Sequence, residues 1–449
     1  MSFVRQNKAW TSFLLFLLGL GSATKIYFIG TIALSELVIF FLAPIVLLFN
    51  INNLKRDGFM LFLYMLGFMT AGLFASSWWN RSPLPFVLKM FAIFYGFFAY
   101  YVVFYHLLRS HFRGLGWFYL GLFFSGIITI WALNPHAEVS SSGFAFVGNA
   151  DVETVIRGPL FWIGKVRGLG QLPIIAAYLK TPLAYSVTTP IMFISFAMLT
   201  TITGRAQSMC VLIGGAMMFI GRKRRDTMKL IGKHIWTFAL IGAALLVCYK
   251  AVYSFAAAKG YLGEAARTKY EQQTRQGTGI IPMLVSGRTP FFIALTAAVD
   301  HPIIGFGPRA EDRNGYAEKF LIKYGSYEDL EGYYYYKNIF LSHGIVSSIP
   351  THSYIMSTWL WCGLPGLIFF LWMLYIIYRH IRFYLAAVPQ WFGYFALTIP
   401  SIVWSIFFNP FGARYELPLL VVCMNFARAI GKGCLRMPID MEMEVEKYK

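Results

Sequence analysis

Long apolar runs alternate with polar segments along most of this chain, and each approaches the roughly 20 residues that a helix needs to cross a bilayer. Twelve such runs predict twelve transmembrane helices, near residues 10–24, 30–50, 58–79, 84–108, 115–133, 169–183, 184–203, 206–220, 234–254, 354–378, 388–408 and 415–431. The runs 169–183 and 184–203 are short and contain Lys180, Pro182 and Pro190, so they form either two spans or one broken element. The pattern predicts an all-α polytopic membrane protein.

Two polar segments, about 134–168 and 255–353, are much longer than the other connections. The second holds ten basic and nine acidic side chains, and its apolar helical pattern at 290–299 and its tyrosines at 333–336 predict a large, partly helical loop. The predicted organisation is helices 1–9 in 1–254, this loop in 255–353, helices 10–12 in 354–431, and a tail in 432–449. No internal repeat is present, which disfavours a transporter built from inverted repeats.

Composition agrees with a membrane protein and gives its orientation. The chain is 57% hydrophobic and only 13% charged, which a soluble globular protein of this length would not be. Most of the net charge of +19 falls in alternate short loops, whereas the opposite short loops, apart from Arg205, hold only Lys25, Arg81 and Arg414. Because cytoplasmic loops are enriched in Lys and Arg, both termini are predicted to be cytoplasmic and both long loops to lie outside. Because the orientation in the membrane explains the positive charge, the charge does not indicate binding to nucleic acid.

Several classes of site are missing from the sequence. It has no phosphate-binding loop, no His-Glu-x-x-His and no Gly-x-Ser-x-Gly motif. Its five cysteines lie within or beside apolar runs and suggest neither a zinc site nor a disulfide framework. We therefore predict no metal and no cofactor.

Two arginines at the predicted outer face are candidate anion-binding residues. Arg205 lies where two apolar runs meet, and Arg288 follows Ser-Gly and precedes a predicted helix over 290–300. A guanidinium offers a planar set of donors to phosphate, and a helix N-terminus adds backbone N–H groups. The alternatives are a snorkelling arginine at 205 and a solvated arginine at a helix start at 288.

His352 is the candidate general base. It lies in Pro-Thr-His-Ser-Tyr, where the large loop returns to the membrane, and a histidine that is neutral near pH 7 can accept a hydroxyl proton there. The alternative is a histidine that is hydrogen-bonded at a span end. His301, beside Pro302, is predicted to cap the preceding helix, and Gly363 in Gly-Leu-Pro-Gly is predicted to permit a kink.

The order of these motifs resembles the O-antigen ligase and polymerase superfamily of bacterial inner-membrane glycosyltransferases. The likeness rests on Arg205, on Ser-Gly-Arg288 leading to His301-Pro-Ile-Ile-Gly-Phe-Gly, and on His352-Ser-Tyr followed by Gly363-Leu-Pro-Gly. Lys165-Val-Arg-Gly-Leu-Gly-Gln-Leu-Pro resembles a further family motif and nominates Arg167, with Arg157 as the alternative. The resemblance in motifs extends over about 165–378, and the resemblance in predicted topology extends over the whole chain.

The resemblance implies a chemistry and a set of partners. Arg205, Arg288 and Arg167 would bind the pyrophosphate of an undecaprenyl-pyrophosphate-linked glycan, and His352 would activate the acceptor hydroxyl at the periplasmic face. Arg288 would also act in catalysis, without a metal and with inversion at the sugar. The acceptor would be lipid A–core in lipopolysaccharide ligation, or a second lipid-linked glycan in a polymerase. A polysaccharide chain-length regulator is a candidate partner.

Two alternatives come from other classes of protein. A flippase or transporter of lipid-linked glycans predicts charged residues at the bilayer midplane and small outer loops. A structural component of an envelope assembly predicts arginines that only hold anionic lipid.

Overall fold

The computed structural model describes residues 8–23, 25–27, 31–111, 114–132, 288–308, 310–324, 348–387, 389–409 and 414–431, with scattered positions between 210 and 338. The predicted spans at 169–183, 184–203, 206–220 and 234–254 fall almost entirely outside these residues, as do Arg157, Arg167 and Arg205. The described part is helical except for one short antiparallel ribbon and an isolated bridge.

The elements follow the apolar runs closely. In chain order they are α1 Lys8–Ala23, β1 Lys25–Tyr27, β2 Thr31–Ala33, α2 Leu34–Arg56, α3 Met60–Trp79, α4 Leu84–Ser110, α5 Leu115–Ala132, α6 Thr289–Asp300, α7 Tyr316–Tyr324, α8 Tyr354–Cys362, α9 Leu364–Ala387, α10 Pro389–Phe408 and α11 Glu416–Gly431. Within the described residues, three helices are long and apolar enough to cross a membrane, namely α2, α3 and α4. These helices support the prediction of a membrane protein.

Helix α4 lies at the centre of the bundle, and α2 and α3 lie towards its surface. Large side chains of α4 are almost fully buried, among them Phe94, Phe97, Tyr100, Tyr101, Phe104 and Tyr105. On α2 and α3, by contrast, Phe41 is 79% exposed and Trp78 is 88% exposed. An apolar surface of this kind suits lipid, since a soluble protein rarely exposes large apolar patches.

The predicted span at 354–378 is divided into two helices at Gly363. This residue has φ 65° and ψ −149°, a conformation that only glycine adopts readily, and a Cβ there would collide with the carbonyl of Ile303. The backbone therefore breaks where the sequence predicts a kink. The longer helix α9 begins after the break and continues to Ala387, beyond the predicted end.

The segment 301–308 packs against the break at Gly363 and hydrogen-bonds to the helices on both sides of it. It thereby connects the segment that follows α6 to the bundle. Leu364 N–H donates to the Ile303 carbonyl (2.9 Å), and Phe306 N–H donates to the Leu360 carbonyl (2.6 Å). Asn80, at the end of α3, donates from Nδ2 to the Gly305 carbonyl (3.2 Å). These bonds fix the end of α6 against α8, α9 and the 80–83 connection.

A buried ion pair joins two other parts of the bundle. Arg414, just before α11, donates from Nη1 to Glu36 Oε2 in the first turn of α2 at 2.7 Å. The same carboxylate oxygen accepts the Ala33 N–H at 3.0 Å. Next to this pair, the Tyr100 hydroxyl lies 2.8 Å from Ser35 Oγ and 3.1 Å from Ser22 Oγ. The cluster satisfies its polar groups within the protein, as a nonpolar environment requires.

Candidate functional site

Two of the predicted site residues are described by the structure, and they lie near each other. Arg288 comes directly before α6, and His352 comes two residues before α8, which packs against α6. They are 64 positions apart in the sequence, yet the charge of Arg288 acts on the imidazole of His352. The relation of Arg205 and Arg167 to this pair stays a prediction.

Arg288 lies against two aromatic rings on the last turn of α10. Its Cζ atom is 4.6 Å from the ring centroid of Trp404 and 4.6 Å from that of Phe408. A cation over an aromatic face is attracted by the ring quadrupole, and each such contact is worth about 0.5–2 kcal/mol depending on solvent exposure. The guanidinium is half-buried, and this burial lowers the pKa of Arg288.

The start of α6 adds less to an anion site than the sequence suggests. The helix is present as predicted, and it begins at Thr289, one residue before the predicted start at Pro290. Pro290 has no N–H, however, and the N–H of Phe291 already donates to the Arg288 carbonyl at 2.9 Å. The positive charge of this site therefore comes mainly from the guanidinium and only to a small extent from the backbone.

His352 is held in place through its neighbour Ser353. Ser353 has no exposed surface, and its Oγ donates to the Ile406 carbonyl of α10 at 2.8 Å. The same oxygen accepts the Met356 N–H at 3.2 Å and so caps the N-terminus of α8. A side chain with both of these bonds fixes the backbone next to His352, while the imidazole is half-buried.

The surroundings of His352 favour its neutral form. Its pKa is lowered from the ordinary value of 6.5, first by burial and then by the positive charge of Arg288. Both effects disfavour a second positive charge at this place. At neutral pH the imidazole is therefore unprotonated and able to accept a proton.

Sequence analysis missed the residues that hold this pair together. Trp404 and Phe408 carry no motif that indicates function, and Ser353 was noted only as part of His352-Ser-Tyr, without a role of its own. The only available signal was the spacing of Trp404 and Phe408, four positions apart near the end of a predicted span, which places both rings on one helix face. That spacing does not specify what the rings contact.

The remaining histidine prediction in this region is confirmed. His301 ends α6, where its backbone N–H donates to the Ala297 carbonyl at 3.3 Å, and its exposed ring packs edge-on against Phe306. Within the described ranges, no three His, Cys, Asp or Glu side chains are grouped as metal ligands would be. Comparison with known protein families, curated proteins and solved structures finds no match to this chain.

Proposed function

We propose that this chain is a glycosyltransferase of the bacterial inner membrane, of the O-antigen ligase and polymerase type. It transfers a glycan from undecaprenyl pyrophosphate to a sugar hydroxyl at the periplasmic face. In this proposal the chain crosses the membrane about twelve times, both termini are cytoplasmic, and residues 255–353 form the large periplasmic loop. The distribution of Lys and Arg between alternate short loops supports this orientation.

The single observation that carries the proposal is a half-buried guanidinium whose charge acts on a half-buried imidazole, so that burial and Arg288 both lower the pKa of His352. Transfer from a lipid pyrophosphate needs positive charge where the leaving group becomes more anionic, and a base where the acceptor loses its proton. Arg288 and His352 supply these two groups on one side of the bundle. A site that only held anionic lipid would not need the neutral imidazole.

The reaction is a single displacement. The acceptor oxygen forms a bond to the anomeric carbon as the bond from that carbon to the pyrophosphate oxygen breaks. The acceptor proton passes to His352, and the electron pair of the broken bond leaves on undecaprenyl pyrophosphate. Arg288, with Arg205 and Arg167 from the undescribed part of the chain, stabilises the developing charge. Attack opposite the leaving group inverts the anomeric centre.

The acceptor decides between two forms of this activity. Lipid A–core as the acceptor makes the protein an O-antigen ligase in lipopolysaccharide assembly, which is the form we propose. A second lipid-linked glycan as the acceptor makes it a polymerase. Purified protein in lipid nanodiscs, supplied with lipid-linked glycan and each acceptor in turn, should give one core-linked product, whereas a ladder of products would reassign the acceptor.

The variant His352→Ala tests the chemistry in the same assay. Loss of a general base should lower the transfer rate by about 10²–10⁴-fold. His301→Ala is the matched control, because His301 is an exposed histidine at the other end of α6 and should leave the rate unchanged. Full activity in His352→Ala would overturn the proposed role. Movement of intact lipid-linked glycan across proteoliposomes, without transfer, would instead favour a transporter.

A further inference from the structure

The end of α10 contacts Arg288 and also Ser353, the residue next to His352. Trp404 and Phe408 contact the Arg288 guanidinium, and the carbonyl of Ile406, between them in sequence, accepts the hydrogen bond from Ser353. This carbonyl is one of the last four of the helix, which have no N–H partner inside the helix. One turn of backbone thus connects the surroundings of Arg288 with those of His352.

The two rings form an angled support on one side of the cation. Their centroids are 4.8 Å apart with 50° between the planes, and each is 4.6 Å from Cζ of Arg288. These three distances describe a nearly equilateral triangle, so the rings do not enclose the guanidinium from opposite sides. Ring faces stabilise a cation without neutralising its charge, and the carboxyl end of a helix adds a favourable dipole.

Phe408 also fixes the helix that carries the arginine. Its ring lies 5.8 Å from that of Phe291, in the first turn of α6. The side chain of Arg288 and the backbone from which it extends are therefore both held by the same ring. A change at Phe408 would move the guanidinium through two independent contacts.

We propose that Trp404 and Phe408 are positioning residues that set the place of the Arg288 guanidinium relative to the His352 imidazole, with the Ser353 to Ile406 hydrogen bond as the second connection. The proposal rests on the function proposed above for its catalytic meaning, but its geometry is testable without any transfer reaction. Neither ring needs to touch the substrate.

The test uses the full chain in detergent and measures how the reaction of His352 with diethyl pyrocarbonate depends on pH. Only neutral imidazole reacts, so peptide mass spectrometry of the 352 peptide gives the titration of this histidine. Among the charged residues that the structure describes, Arg288 is the one whose charge acts on the pKa of His352. Trp404→Leu keeps an apolar side chain but removes the ring, so the titration midpoint should move upwards as Arg288 leaves its place.

Trp404→Phe restores a ring and should keep the wild-type midpoint. Phe408→Leu repeats the test at the second ring and gives the answer if Trp404→Leu does not fold. Trp79→Leu is the matched control, because Trp79 is 70% exposed at the end of α3. An unchanged midpoint in folded Trp404→Leu and Phe408→Leu would overturn the proposal.

Glycan transfer by the same variants separates this inference from the proposed function. A displaced catalytic group costs on the order of 100-fold in rate, so kcat should fall in Trp404→Leu and recover in Trp404→Phe. A shifted titration in a protein with no transferase activity would leave the positioning role intact and reject the transferase. Glycan transfer by variants with an unshifted titration of His352 would support the transferase and reject the positioning role.

Discussion

Two arginines, Arg288 and Arg414, lie beside the helical bundle in opposite chemical surroundings. The guanidinium of Arg414 donates to the Glu36 carboxylate at 2.7 Å, and the exposed fractions of the two side chains are 17% and 5%. The guanidinium of Arg288 lies against the faces of Trp404 and Phe408, and its charge helps to lower the pKa of His352. The first arginine is matched by a negative charge, whereas the second is supported by two aromatic rings.

The difference distinguishes an arginine paired with a carboxylate from one that lies against aromatic rings and is proposed to act in the site. A carboxylate partner cancels the charge that a phosphate would otherwise meet, so Arg414 is suited to joining α2 to the segment before α11. Aromatic faces orient a guanidinium without cancelling its charge, and the charge of Arg288, after burial, contributes to the lowered pKa of His352. Arginines near the ends of spans are therefore better distinguished by their contacts than by their positions in the sequence.

The largest predicted effect is on stability and concerns the Glu36–Arg414 pair. Arg414→Met should lower the free energy of unfolding by about 3–5 kcal/mol, because it leaves the buried Glu36 carboxylate without its cation. Thermal unfolding in detergent measures this. The double variant Glu36→Gln with Arg414→Met should regain most of the loss, since no buried charge is left. A stable single variant would show that the pair contributes little.

The second prediction concerns Arg288 and should show the opposite pattern. Arg288→Met should reduce transfer by about 10²–10³-fold, as for the loss of a group that stabilises transition-state charge. At this half-buried place each of the two ring contacts is worth about 1 kcal/mol, so their loss should cost about 2 kcal/mol of stability. Rates and unfolding temperatures measured on the same preparations would test this.

Arg313→Met is the control for Arg288→Met. Arg313 has a 77% exposed side chain and pairs with Glu311, so neither rate nor stability should change much. If Arg288→Met unfolded as readily as Arg414→Met while its folded fraction kept full activity, the distinction between the two arginines would be wrong.

The sequence predicts the helices and the candidate residues near the two arginines, but it does not predict which distant residues those arginines contact. The described helices agree with the apolar runs, and α6 and the break at Gly363 lie where the local pattern places them. Arg288 and His352 were nominated from their local context, at a helix start and at a span entry, and then from the order of the motifs. Arg414 was seen only as one of the few basic residues in the outer loops, because nothing in the sequence indicates that Glu36, 378 positions away, contacts it.

The contacts around Arg288 were missed for the same physical reason. Cation–π contacts and a serine bound to a helix carbonyl depend on how distant helices pack, and their residue types are common in any membrane helix. Trp404 therefore looked like an ordinary residue of a span, and Ser353 looked only like the neighbour of His352 in its motif. Local patterns reveal which residues carry charge, whereas packing decides what each of those charges contacts.

The smallest predicted effect is a pH shift that measures the influence of Arg288 on His352. As a general base, His352 must be neutral, so transfer should fall on the acid side as the pH decreases through its pKa. Because burial and Arg288 both lower this pKa, activity should persist below pH 6.5.

The variant Arg288→Gln removes the positive charge but not the burial, which is the larger cause of the lowered pKa. The acid limb of its residual activity should therefore move upwards and still lie below pH 6.5. Arg414→Gln, whose charge is already matched by Glu36, should leave the limb in place in whatever fraction folds. If the limb moved equally in both variants, the pKa of His352 would reflect the net charge of the bundle, and the contact with Arg288 would not be its cause.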